Sequence, residues 1–128
     1  MRKQILKFVK QKYNICEEYL WDKFPNYCVF RNTKNKKWFG IIMNVSSQKI
    51  GINKDENIDI LVVKCEPVLR DLLLTKNGYY HAYHLNKNGW ITLILDGTLN
   101  LNEITKMIEY SYELVNNPKK HNIKTKIC

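Results

Sequence analysis

The chain has 128 residues, 45% of them apolar and 26% charged, with a formal net charge of +9. That length builds one hydrophobic core. No run of about 18 apolar residues is available to span a bilayer, and the basic N-terminus leads into no uninterrupted apolar stretch of the kind a secretory leader needs. The expectation is a single cytoplasmic domain over residues 1–118 and a basic mobile tail over residues 119–128.

The cysteines, Cys16, Cys28, Cys65 and Cys128, are scattered without C-x-x-C or zinc-ligand spacing. They are expected to be free thiols, the first three as small core residues and Cys128 in the tail.

The charge is unevenly placed. Arg2, Lys3, Lys7, Lys10 and Lys12 crowd the first twelve residues, and Lys119, Lys120, Lys124 and Lys126 crowd the last eleven, with no acid in either segment. Between Lys23 and Lys54 there are seven basic residues and no acid, whereas residues 55–117 hold nine acids against five bases. Such a dipolar surface suits a polyanionic partner on one side. An A+T-rich genome also yields this mixture of Lys, Asn and Ile without selection for binding. Arg, the better residue for bidentate phosphate and guanine contacts, occurs only at 2, 31 and 70.

In chain order, Ile5, Leu6, Phe8, Val9, Tyr13, Cys16 and Leu20 recur at helical spacing and predict an amphipathic helix over residues 2–20. Tyr27 to Arg31 and Trp38 to Val45 predict two strands joined by the polar loop Asn32 to Lys37, a ribbon tipped by Lys34, Lys36 and Lys37. A loose stretch runs from Ser46 to Asn57, and Ile58 to Lys64 predicts a buried strand. Pro67 opens a short helix over 67–76, which Asn77-Gly78 ends. Tyr79 to Leu85 and Trp90 to Leu95 predict a second ribbon, with a tight Asn-Gly turn at Asn88-Gly89 and Lys87 at the tip. Asn100 and Glu103 resemble a capping box that starts a last helix ending before Asn117-Pro118. Two hairpins demand antiparallel pairing, so the fold class is α+β: an antiparallel sheet with two ribbons, packed on one face against N-terminal, middle and C-terminal helices.

Chemistry is sparse. His81 and His84 stand three apart, and on a strand that spacing puts them on opposite faces, away from a shared metal. There is no nucleophile elbow, phosphate-binding glycine loop or calcium loop. The chain is therefore expected to be no enzyme, with no metal and no cofactor. Aromatics beside lysines, Trp38 and Phe39 after Lys37 and Trp90 after Lys87, are the remaining signal. Aromatic platforms can stack nucleobases, although aromatics in strands more often fill a core.

The runs NKKWFGIIMNV (35–45), VVKCEPVL (62–69), YHLNKNGWITLILDG (83–97) and SYELVNNPKK (111–120) together resemble the MmcQ/YjbR family over roughly residues 5–120. The resemblance implies a fold similar to the double-wing domain of a phage transcription factor, whose β-ribbons approach DNA. The family motif falls on Lys37, Trp38, Lys64, Cys65, Pro67, His84, Asn86, Lys87, Trp90 and Asp96. Two positions depart from it. Gly89 stands where relatives carry His before the Trp, and Glu66 replaces Asp before Pro67.

The leading expectation is a monomer that contacts double-stranded DNA without a membrane or a known protein partner. Arg31, Lys34, Lys36, Lys37 and Lys87 would touch phosphates with low sequence specificity, because few groups are arranged to read base edges. The family-motif positions Trp38, His84, Asn86 and Trp90 form a second set of candidates. The alternative is a protein-interaction or regulatory adaptor. A small-ligand binder using His84, Asn86 and the nearby tyrosines is a third class, which a deep apolar pocket at His84 would favour.

Overall fold

A computed structural model describes residues 1–117; the expected tail, 119–128, and Cys128 lie outside them. The elements are α1 (Arg2–Tyr13), β1 (Cys28–Arg31), β2 (Trp38–Ser46), β3 (Asn57–Lys64), α2 (Pro67–Leu73), β4 (Tyr79–His81), β5 (Trp90–Ile94) and α3 (Leu101–Asn116). The five strands form one sheet in the order β1-β2-β3-β5-β4, antiparallel at every pairing. The α+β class and its element order agree with the sequence reading.

Alternation along the strands divides the apolar residues between two faces. Phe30, Ile42, Leu61, Val63, Ile91 and Leu93 meet α1 and α3 through Ile5, Val9, Ile104 and Ile108, all fully buried. Val29, Ile41, Met43, Val45, Ile58, Ile60, Val62 and Ile94 line the opposite face. Both faces of β3 are thus covered, which is why the run ILVV within its sequence, NIDILVVK, is continuously apolar. α-Helices cover only the first face. The second is roofed by loops and a short 3-10 helix, from which Trp21, Tyr27, Ile50, Ile52, Tyr83 and Leu85 pack down.

Several expected boundaries move. α1 stops at Tyr13 because Asn14 turns left-handed, with φ 57°, and its amide donates to Lys10 O. The chain then crosses to β1, where Glu18 and Val29 exchange backbone hydrogen bonds of 3.0 and 2.9 Å. Cys16 lies in this crossing and is exposed, not core, whereas Cys28 and Cys65 are buried. The stretch after β2 is ordered by a 3-10 helix, Ser47–Ile50, with the buried Ser47 hydroxyl donating to Lys54 O at 2.7 Å. α2 ends at Leu73, three residues early.

β4 also ends early, at His81. Residues 82–89 form a wide loop rather than a tight hairpin. The Asn-Gly pair adopts no positive φ at Gly89; the left-handed residue is His84, with φ 61°. The loop turns instead on Asn86, whose Oδ1 accepts from Asn88 N at 2.9 Å while its carbonyl accepts from Gly89 N at 3.1 Å. The local side-chain bond outcompetes the intrinsic preference of Asn-Gly.

Asn100 caps α3 as expected, its Oδ1 accepting from Glu103 N at 2.8 Å. α1 and α3 meet through aromatic rings: Tyr13 stacks on Tyr112 at 3.9 Å and both present edges to Phe39. Burial, chiefly, and the carboxylates of Glu109 and Glu113 push the Tyr13 phenol up to about 12.

Gly78 immediately precedes β4 at φ 95°, and a Cβ there would lie 2.8 Å from Leu99. Gly78→Ala should therefore lower stability by about 1–3 kcal/mol in urea denaturation, combining left-handed strain with overpacking. Burial pushes the Cys28 and Cys65 thiols up to about 11, and only the thiolate reacts with alkylating agents. Peptide mapping after iodoacetamide treatment at pH 8 should find Cys16 modified and both buried thiols protected until denaturant is added.

Candidate functional site

The sheet end from which both ribbons project is built around an irregularity. Phe30 pairs with Gly40, but Arg31 pairs with Trp38, so Phe39 is an extra residue in β2. In a regular strand Trp38 would share a face with Gly40 and Ile42. The bulge turns it to the opposite face, beside Trp21, and sends Phe39 into the helical core. A bulge leaves ladder groups unpaired, and the buried Ser111 of α3 satisfies two of them. Its hydroxyl donates to Phe39 O at 2.6 Å and accepts from Lys64 N at 2.9 Å.

The first tip is held to α3. Asn32 is 1% exposed, and its Oδ1 accepts from Lys34 N and Asn35 N while its amide donates to Asn116 Oδ1 at 3.0 Å. Asn35 donates to Val115 O at 2.7 Å, and Lys36 turns left-handed at φ 65°. Lys34, Lys36 and Lys37 thus extend into solvent from a fixed loop. Arg31 does not join them freely, because its Nε pairs with Glu18 at 3.0 Å.

The second tip is held by Arg70, a residue the sequence reading did not assign. Its guanidinium donates to Lys87 O at 2.8 Å and pairs with Asp71, while Cys65 N donates to Gly89 O at 3.0 Å. Lys87 and Asn86 are exposed on this loop. The pairing of Gly40 with Val63 and of Lys64 with Trp90 puts both loops at the same end of the sheet. Between them Lys64 reaches over Trp90, its Nζ 5.3 Å from the ring centroid. Lys34, Lys36, Lys37, Lys64 and Lys87 make no ion pair among the described residues.

His84 and Trp38 belong to a different feature. On the loop-covered face lies a cleft of about 420 Å³, floored by Ile41 and Met43 of β2. Trp21, Phe24 and Tyr27 form one wall, Tyr83, His84 and Leu85 form the other, and Trp38 and Lys49 also line it. Burial, foremost, and the neighbouring Tyr83 phenol raise the Tyr27 phenol above its ordinary value. Sequence reasoning singled out Trp38 and His84 but missed Trp21, Phe24, Tyr27 and Lys49, having placed residues up to 20 in a helix and left 46–57 as loose loop. Asn86 and Trp90 fall outside the cleft lining. His81 and His84 share no strand: His81 ends β4 and His84 lies in the loop. Among the described residues no group of three His, Cys, Asp or Glu side chains could hold a metal ion. No helix among them is long and apolar enough to cross a membrane.

A five-stranded antiparallel sheet with helices on one face defines an α+β class that solved structures share. A crystal structure of a Pseudomonas syringae protein superposes with a TM-score of 0.86 at 41% identity, covering 89% of this chain and 97% of that one. A Deinococcus radiodurans protein shares the fold at a TM-score of 0.67 and 21% identity, over 90% of this chain and 78% of its own. In sequence, the chain is 42% identical to YyaQ of Bacillus subtilis over 113 residues, 88% of this chain and 96% of that protein. The YjbR family model matches residues 10–114. The chain belongs to the MmcQ/YjbR family.

The bulge gives a direct test of how this end is built. Ser111→Ala leaves Phe39 O and Lys64 N buried without their partner, a loss of about 1–3 kcal/mol. Urea denaturation should register that loss.

Proposed function

We propose that the protein binds double-stranded DNA through its phosphates, with low sequence specificity, using Lys34, Lys36, Lys37 and Lys87. The observation that carries this reading is the shared placement of both loops. Two separately anchored, lysine-bearing loops leave the sheet at one end, and β2 and β5, which follow them, are separated only by β3. At about 4.8 Å per strand spacing that is roughly 10 Å, a span comparable with a DNA groove. Lys64 lies between them and adds a fifth positive charge to the same end.

The anchoring favours binding in a second way. A phosphate contact made by a side chain on a mobile loop must offset the cost of ordering that loop. Here the bonds from Asn32 and Asn35 to α3, and from Arg70 to the second loop, fix the backbone beforehand. Only lysine side chains remain to be ordered. Their point charges suit phosphates in any sequence context, and no arginine fork stands free at this end to read guanine, since Arg31 and Arg70 both pair with acids. The protein would act as a binding module, with no catalytic step and no cofactor.

The alternative, a protein-interaction adaptor, draws on one observation. Val68 and Leu72 lie one turn apart on α2 and are 77% and 64% exposed.

Fluorescence anisotropy of a labelled random duplex, at low and near-physiological salt, separates these readings. Wild type should bind in the micromolar range at low salt and weaken steeply as salt rises. Changing Lys34, Lys36 and Lys37 together to Ala should reduce the slope of log K against log salt by about 1–3, roughly 0.9 per lost phosphate contact. An unchanged slope would remove the first loop from the interface. No binding even at low salt would overturn the DNA reading and leave the α2 surface as the place to look.

A further inference from the structure

The aromatic cleft is not explained by the lysine end. It lies on the loop-covered face, and none of Lys34, Lys36, Lys37, Lys64 or Lys87 lines it. Nor is it a gap in ordinary core packing. The floor, Ile41 and Met43, is 2% and 4% exposed, but the walls stop short of closing over it. Phe24 remains 48% exposed at the mouth, a large apolar group left half in water. A volume of about 420 Å³ falls within the range typical of small-molecule sites.

We propose that this cleft binds a flat aromatic ring carrying an anionic group. The ring follows from the lining. Trp21, Phe24, Tyr27, Trp38, Tyr83 and His84 contribute six ring systems, held at set angles by one another. Trp21 stands edge-on to both Trp38 and Tyr27, with centroids 5.9 and 6.0 Å apart, and Phe24 lies flat on Tyr27 at 4.6 Å. Rings fixed in this way lose little freedom when another ring slides between or against them.

The anion follows from charge. Lys49, exposed at the 3-10 helix, is the one formally charged side chain in the lining, and no Asp or Glu among the described residues contributes to it. Lys49 also makes no ion pair among the described residues. Aromatic faces attract cations, but a cation in this cleft would meet Lys49 and find no carboxylate. A ring placed against Trp21 and Trp38, with its acid group toward Lys49, satisfies both ends of the site.

His84 adds a second, independent sign. Among the described residues it is one of three non-glycine residues with positive φ, and its ring lies 4.0 Å from Tyr83. The other two have local explanations: Asn14 caps α1, and Lys36 closes the hydrogen-bonded first tip. His84 neither ends a helix nor closes a tight hairpin, and it lies at the centre of the Tyr83-His84-Leu85 segment that lines the cleft. Such strain gathers where a binding surface must be shaped.

The ring and anion could belong to a free aromatic acid or mononucleotide, or to an unstacked base with its phosphate in a single strand. The probe is naphthalene-2-carboxylate, followed by tryptophan quenching and by amide shifts in two-dimensional NMR. Saturable binding should move the amides of Trp38, Ile41, Met43 and Tyr83. The neutral 2-naphthalenemethanol should bind more weakly, and 2-naphthylmethylammonium about tenfold more weakly or not at all. Lys49→Glu, on the exposed surface and so no risk to folding, should weaken the carboxylate about tenfold while leaving the neutral alcohol within about twofold. Trp38→Ala should abolish binding, with far-ultraviolet circular dichroism checking that it folds.

Adenosine monophosphate and a short single-stranded oligonucleotide then distinguish the sources. Tighter binding of the mononucleotide at the same residues points to a free ligand, and tighter binding of the strand points to a base in nucleic acid. Absence of saturable shifts for every one of these probes would overturn the proposal, as would a cationic probe that binds as well as the carboxylate. Neither result bears on the duplex titration, because the lysines changed there do not line the cleft.

Discussion

The hydroxyl of Ser111 holds together the part of the molecule on which both candidate sites depend. Antiparallel ladders tolerate an extra residue only if the freed backbone groups find partners. At Phe39 the partner comes from outside the sheet, from a serine fully buried in α3 that joins β2 to β3 across the gap. With the bulge in place, Phe39 enters the ring cluster that joins α1 to α3 while Trp38 reaches the opposite face. Without it, regular alternation would reverse the two. One hydrogen-bonded side chain thus couples the packing of the helical core to the shape of the aromatic cleft and to the way the first basic tip leaves the sheet.

The two faces of the sheet are finished differently. Helices seal one with fully buried aliphatics, the arrangement expected of a stable core. Loops half-cover the other, with aromatics contributing their large area but leaving edges and faces in water. This division leaves the second face and one end of the sheet to the two candidate sites while stability resides on the first. The anchors follow the same logic: Asn32, Asn35 and Arg70 each use a polar side chain to fasten a lysine-bearing loop to a helix, so the position of the tips derives from α2 and α3.

Much of this was readable in the residues. Strand positions, the Pro67 and Asn100 helix starts, and the antiparallel α+β class follow from periodicity and capping chemistry, which act over a few residues. The family followed from four short runs in a fixed order. What could not be read depended on competition between local signals and distant partners. The apolar spacing of Tyr13, Cys16 and Leu20 continues past Asn14, so the helix looked longer than it is. Asn88-Gly89 favours a tight turn, but Asn86 captures the backbone first. The cleft was least visible, because its walls come from residues 21–27, 38–49 and 83–85, which only the sheet brings together. Gly40 was the one available clue to the bulge. A Cβ there would lie 3.0 Å from the Phe30 ring, and glycine inside a strand often marks such a place.

The sheet's edges bear on why the surface is so rich in lysine. An open outer strand offers unpaired amides and carbonyls that recruit other chains, and charged side chains along it are a common defence. In this fold the defence is topological. Glu18 already occupies Val29 on the β1 side through both backbone bonds, and the Arg31–Glu18 pair reinforces that closure. On the far side β4 is only three residues long. Chain path thus limits both edges, by the Glu18 bridge on one side and a three-residue strand on the other. Lys34, Lys36, Lys37 and Lys87 stand beyond the strand ends, in the loops, away from the ladder groups that an edge charge would guard.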